Sequence, residues 1–291
     1  MESAPSSTSV AVVGLGAIGT RLVVELACAG TIDVFACARR KLVALELFGV
    51  EAPLECTPRI DVDPAHASRV DWVLLCTKAQ QVESARDWLR ALRRDDTPVA
   101  VLQNGVEHRE RLAAMVRGEL VVPVVVEAPT ERVRDGSVRA HGPARLYVSR
   151  DALGQRFAEL FRGSNVVVEE VDDVRALAWT KLVHNCAGAA RALENRSTPA
   201  AGLGRRDLAA RLAAEAVEVA TALGVVLPTE TLERAVSAAL ALGPGRSTSL
   251  EADLAARRPT EVDARNGAVA RLGAQLGVDV RWNALALQCL R

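Results

Sequence analysis

Apolar and polar positions follow two regimes along the 291-residue chain. Up to about Val171, short β-branched runs alternate with glycine or polar turns and with stretches of helical period; beyond it only helical periods remain. Val10–Val13 is the first strand-like run, and an apolar helix is expected from Thr20 to Ala29, closed by Gly30. Strands are expected at Ile32–Cys37, Val70–Cys76, Pro98–Leu102 and Leu120–Val126, with helices over Val82–Leu92 and Glu107–Met115. Leu42–Phe48 reads as a short helix, followed by a polar stretch punctuated by Pro53, Pro58 and Pro64. Asp135-Gly136 between short apolar runs predicts a hairpin, and Arg145–Ser149 is expected to be the last strand of its domain. This rhythm predicts an α/β fold with a doubly wound parallel sheet. Helices are expected over 174–194, 206–223, 229–242, 248–257, 261–276 and 282–290, so the second half reads as all-helical.

The length suits about two domains at roughly 150 residues each. The expected division is a disordered leader at 1–9, a nucleotide-binding domain at 10–171 and a helical domain at 172–291. The 36 basic and 36 acidic residues cancel. That balance gives no support for nucleic acid or an anionic membrane as a partner. No apolar run approaches the roughly 20 residues of a membrane span, and the polar first nine residues lack a signal-peptide pattern. The six cysteines (Cys28, Cys37, Cys56, Cys76, Cys186 and Cys289) show no CxxC spacing. Several sit in apolar runs, where a thiol behaves as a small hydrophobe. A reduced, cytoplasmic protein without a metal site is expected.

Directly after the first strand comes Gly14-Leu15-Gly16-Ala17-Ile18-Gly19, followed by a helix. Strand, glycine turn and helix form the context in which GxGxxG binds a dinucleotide. Gly14 allows the tight turn, Gly16 lets the backbone approach a pyrophosphate on the helix N-terminus, and Gly19 lets helix and strand pack closely. The second strand ends in Ala38-Arg39-Arg40-Lys41, with no acid for a ribose 2′-hydroxyl. A guanidinium grips a 2′-phosphate, so NADPH/NADP+ is favoured over NADH, with Arg39 the first contact. The plainer alternative for these cations is a basic helix start at the surface. Thr77-Lys78 and Gln103-Asn104-Gly105 follow two further strands, at the edge where open α/β sheets bind ligands.

In the helical half, Ala178–Cys186 places Lys181 and Asn185 four residues apart, on one helical face. Apolar neighbours predict that this face is buried, and a buried lysine needs a partner or a function. The alternative is a lysine that reaches out to water. Ser249 lies in a polar segment rich in capping groups, and Thr260-Glu261 is expected to open a long helix. A glutamate there is stabilised by the helix dipole, or it is a plain cap.

Taken in order, these pieces resemble the ketopantoate reductase (2-dehydropantoate 2-reductase) family over nearly the whole chain. GxGxxG, Thr77-Lys78-Ala79-x-Gln81, Gln103-Asn104-Gly105, Trp179-x-Lys181-x3-Asn185-Cys186, Ser249-x3-Asp253 and Thr260-Glu261-Val262-Asp263-x2-Asn266-Gly267 all fall in its sequence order. The resemblance implies a Rossmann-type domain followed by a helical domain of the 6-phosphogluconate-dehydrogenase C-terminal type. It implies that Lys181 hydrogen-bonds the substrate carbonyl oxygen, with Glu261 as its acidic partner across an interdomain cleft. By the same resemblance Asn185 and Ser249 hold the substrate, Ser249 near its carboxylate. Lys78, Gln81 and Asn104 are implied as contacts from the Rossmann side, Asn104 touching both cofactor and substrate.

The implied chemistry is hydride transfer from NADPH to a 2-oxo acid. A cationic lysine stabilises the developing alkoxide and supplies a proton, and a carboxylate keeps the amine protonated. The sequence departs from the family after Asn185-Cys186. A second asparagine and a proline are usual there, whereas this chain has Ala187-Gly188-Ala189-Ala190-Arg191, and Pro199–Gly202 stands where a further asparagine is common. Arg191 and Arg196 are the candidates to stand in for those amides. Three readings therefore remain: a ketopantoate reductase, a relative acting on another C=O or C=N substrate, and a non-catalytic NADPH-binding regulatory protein. A homodimer is a possible assembly.

Overall fold

A computed structural model describes residues 7–194, 202–241 and 248–291. Residues 1–6 of the leader, the segment 195–201 with Arg196, and the segment 242–247 with Gly243-Pro244-Gly245 lie outside the described residues. The chain forms two compact units, Met1–Gln103 with His108–Val174, and Asn104–Glu107 with Arg175–Arg291.

The first unit is built on a six-stranded parallel sheet. Its strands are β1 (Ser9–Val13), β2 (Asp33–Cys37), β5 (Ile60–Asp61), β6 (Trp72–Leu75), β7 (Val99–Val101) and β8 (Val121–Pro123), in the order β5-β2-β1-β6-β7-β8. That order reverses direction at β1, the switch point beside which doubly wound sheets bind dinucleotides. β1 starts at Ser9, which the sequence had assigned to the leader. Its N–H and hydroxyl both donate to Asp71, at 2.9 and 2.7 Å. Helix α1 (Ala17–Ala29) is buried from Gly19 to Leu26 and stops at Gly30, whose φ of 67° returns its N–H to the Leu26 carbonyl. Two charged side chains within this buried stretch are partly paired, Arg21 Nε and Glu25 Oε1 having no hydrogen-bond partner among the described residues. Arg21 donates to Thr130 and to the Gly142 carbonyl, and Glu25 accepts from the N–H and side chain of Asn165.

Several local expectations are corrected here. Leu42–Phe48 is not helical; Leu45–Phe48 is strand β3, paired with β4 (Leu54–Cys56) and with β11 (Ser137–Ala140). Leu45 and Leu47 are fully buried while Glu46 and Phe48 are partly exposed, a period of two that a seven-residue window also fits to a helix. The expected helix over Val82–Leu92 is a 3-10 turn (Ala79–Ala85) followed by α2 (Arg86–Leu92), and the next one shrinks to α3 (His108–Leu112). The strand expected at Leu120–Val126 divides into β8 and β9 (Val125–Glu127). Pro123, at its centre, has no N–H for a ladder. β10 (Thr130–Arg134) and β11 form the expected hairpin across Asp135-Gly136, Gly136 having φ 78°. β12 (Ala144–Ser149) is not the last strand. Helix α4 (Ala152–Leu160) carries the chain to β13 (Val166–Val171), which pairs with β12 in parallel.

Among its described residues the second unit contains helices and no strand: α5 (Val174–Glu194), α6 (Arg205–Ala222), α7 (Thr231–Ala241), α8 (Ser249–Ala255), α9 (Asn266–Leu276) and α10 (Arg281–Leu290). α9 begins five residues later than expected, because 261–265 form a turn. The core is made by one face of α5 (Trp179, Leu182, Val183, Cys186, Ala190) packed with α6 and α9. α10 has no cap from its own preceding residue. Glu215 of α6 supplies one, accepting the N–H groups of Trp282 and Asn283 at 2.9 Å each and the Asn283 side chain at 2.8 Å. Burial pushes the Glu215 carboxyl above its ordinary range, and those three donors pull it back. No described helix is long and apolar enough to cross a membrane.

Glu215→Ala strands those donors in the interior, which costs about 2–4 kcal/mol. Urea unfolding followed by circular dichroism should show the free energy of unfolding lowered by that amount.

Candidate active site

In the first unit the glycine turn meets the steric demands read from its spacing. Gly14 has φ 101°, and a Cβ there would lie 2.8 Å from the Thr77 nitrogen. A Cβ on Gly19 would lie 2.0 Å from the Gly14 carbonyl oxygen, so close packing of helix and strand excludes any side chain. Gly16 is different: a Cβ would meet nothing within 4 Å. Packing within the protein does not require this glycine. Gly16 occupies the N-cap of α1, makes no side-chain cap, and is followed by no acid in the first turn. Leu15, Ala17 and Ile18 are partly exposed beside it. Free N–H groups at a helix N-terminus without a competing carboxylate suit a pyrophosphate. Cys76 packs beneath this turn; burial pushes its thiol up to about 12, so it is neutral and does not oppose an anion.

Arg39 and Lys41 are exposed just past β2, and Arg40 makes an exposed ion pair with Asp135 at 2.8 Å. The sequence showed no acid at this strand end. The fold brings Asp61 into register beside Cys37, but Arg59 already engages it at 2.8 Å. Lys78 and Gln81 lie in and beside the 3-10 turn after β6, half-buried, with the Gln81 N–H donating to the Lys78 carbonyl at 2.8 Å. Gln103 at the end of β7 donates to the Thr77 hydroxyl at 3.0 Å. These residues share the carboxyl edge of the sheet.

The second unit gathers the substrate-side candidates. Lys181, His184, Asn185 and Gly188 form a half-buried stripe on α5, opposite the fully buried face. Lys181 is thus on a partly exposed row, not on the buried face that its neighbours suggested. Asn185, Gly188, Ser249 and Arg265 line one recess. Asn104 belongs to this unit, not to the first, and donates to Glu261 at 3.0 Å. Lys181 and Glu261 also belong to this same unit, within the 172–291 domain expected from the sequence. The 104–107 segment is held in place by Arg271, which bridges Glu107 at 2.6 Å and Asp263 at 2.8 Å. Gly105, at φ 105°, passes so close to Ala264 that a Cβ would sit 2.7 Å from its carbonyl oxygen.

Thr260 is buried and donates to the Leu290 carbonyl at 2.7 Å, tying the turn to α10. Burial pushes the Cys186 thiol up despite nearby Arg265, so the residue after Asn185 packs as a hydrophobe. Arg191 forms an ion pair with Glu251 at 2.8 Å. Arg265 escaped the sequence reading. The available signal was its spacing: it stands four residues after Glu261, in a segment otherwise assigned to helix.

Fold and glycine turn define a two-unit protein of the dinucleotide-binding class. Family models described as ketopantoate reductase PanE/ApbA and ketopantoate reductase PanE/ApbA C terminal match residues 10–152 and 173–291. The chain is 36% identical to a 2-dehydropantoate 2-reductase of Caulobacter vibrioides, over 97% of this chain and 98% of that protein. It is 34% identical to one of Mycobacterium tuberculosis, over 91% and 90%. The crystal structure of a PanE/ApbA family ketopantoate reductase from Ralstonia eutropha JMP134 superposes with a TM-score of 0.85 at 31% identity, covering 98% of this chain and 97% of that one. The chain belongs to the ketopantoate reductase family.

Gly16→Asp supplies a good N-cap, so thermal stability should be unchanged or raised, while the carboxylate repels a pyrophosphate. Fluorescence titration with NADPH should show at least a tenfold loss of affinity. Gly19→Ala should instead lower the melting temperature through its clash with Gly14.

Proposed function

We propose that this protein reduces ketopantoate to pantoate with NADPH, Lys181 acting on the carbonyl oxygen. The carrying observation is the half-buried row of Lys181 and Asn185 on α5, in one unit with Ser249 and the hydrogen-bonded Asn104–Glu261 pair. Bound NADPH supplies the hydride. Lys181 stabilises negative charge on the carbonyl oxygen and gives it a proton, converting C=O to CH–OH. Glu261 favours the charged form of the amine, and Asn104 orients its carboxylate. Asn185 and Ser249 hold the substrate's polar groups. The glycine turn from Gly14 to Gly19 carries the pyrophosphate, Lys78 and Gln81 contact the cofactor, and Arg39 takes the 2′-phosphate.

A second reading, a reductase of another 2-oxo acid, is favoured by Ala189. It is fully buried and offers no polar group where the family commonly has an amide. Steady-state NADPH oxidation over a panel of 2-oxo acids separates the two, and consumption with none of them would favour a binding protein without turnover.

Lys181→Ala should lower kcat by about a thousandfold while the Kd for NADPH stays within a few-fold; near-normal turnover would refute the role. Arg39→Ala should cut the preference for NADPH over NADH roughly 10- to 100-fold, read as the ratio of kcat/KM values.

A further inference from the structure

Arg265 is among the most deeply buried cations of the helical unit, 5% exposed, in the turn directly before α9. A guanidinium carries five N–H donors, and leaving them unmet inside a protein is costly. Its Nη2 donates to the Ser249 hydroxyl at 2.9 Å. The Glu261 carboxylate lies 3.6 Å away, beyond hydrogen-bond reach, and already accepts from Asn104. Its Nε is buried and has no hydrogen-bond partner among the described residues. Arg265 is ion-paired with Glu261 but has donor capacity to spare where it borders the recess shared with Asn185, Gly188 and Ser249.

No carboxylate lines that recess among the described residues. The nearby acids face elsewhere: Glu251 is taken by Arg191 and by the Thr248 N–H, and Asp253 by Arg258. Arg191, one candidate to replace the missing amides, is thereby committed to Glu251. Ala189 contributes no donor. Besides His184 and Thr248, a desolvated guanidinium, a serine hydroxyl and a carboxamide stand around one small space, a donor set that suits a carboxylate.

We propose that Arg265 binds the carboxylate of the substrate, with Ser249 and Asn185 completing the contact, and so sets the preference of this enzyme for 2-oxo acids over uncharged ketones. The proposal rests on the 2-oxo acid reductase reading and adds to it the residue that recognises the acid.

The test compares wild type, Arg265→Met and Arg265→Lys on ketopantoate and on its carboxamide, with calorimetric titration of pantoate in parallel. In Arg265→Met the KM for ketopantoate should rise roughly 10- to 100-fold, while kcat/KM for the carboxamide changes less than about threefold and NADPH affinity is retained. Arg265→Lys, which keeps the charge but not the fork, should lie between, with KM raised several-fold. A Met variant that folds, binds NADPH and still prefers acid to carboxamide as wild type does would overturn the proposal. If the Met variant does not fold, an unchanged KM in Arg265→Lys overturns it as well. Wild type that turns over no 2-oxo acid would sink the reductase reading separately. Pantoate titration then decides the site itself: binding lost in the variants supports it, and equal binding, or none to wild type, contradicts it.

Discussion

A buried guanidinium must be compensated or it destabilises the fold around it, and Arg265 is compensated only in part. This constraint organises the substrate side of the molecule. Glu261 lies 3.6 Å from Arg265 across the 261–265 turn, and α9 starts at Asn266. Asn104 is drawn to the same carboxylate, so the segment after β7 joins the helical unit, secured by Arg271. Ser249 meets the guanidinium from the start of α8. The donor capacity left over is what a carboxylate substrate would use.

The nucleotide side rests on sterics instead of charge. Gly14 and Gly19 are fixed by backbone contacts that no side chain permits, while Gly16 is fixed by nothing in the protein. The contrast separates the glycines that build the turn from one that packing leaves free to vary. The start of α1 has no side-chain cap, and donors of that kind suit phosphate oxygens.

Much of this was legible in the sequence where long-period or steric signals dominate. The glycine turn, the parallel sheet and the helices of the second half follow from apolar period and from Gly and Pro placement. Lys181 and Asn185 share a face because 3.6 residues make a turn. Short elements were less legible. Leu45–Phe48 fits both periods, and only pairing with β4 and β11 makes it a strand. Pro123 splits an apparently continuous run, and Val166–Val171 was passed over although its valines mark a strand. The charge partners could not be read at all. That Glu261 meets Asn104, or that Arg191 is consumed by Glu251, depends on tertiary neighbours more than 50 residues apart in sequence. Arg265 was hidden although its partners Ser249 and Glu261 are near in sequence, because 261–276 reads as helix and a helix assignment does not show which of its cations is buried.

The central claim is hydride reduction of a 2-oxo acid at a site built around Lys181. The most direct measurement incubates the protein with ketopantoate and NADPH deuterated at both C4 positions of the nicotinamide, and examines the product by mass spectrometry and NMR. The account predicts pantoate carrying one deuterium at carbon 2, formed by wild type and only in trace by Lys181→Ala. Unconsumed NADPH, or product without the label, would contradict it.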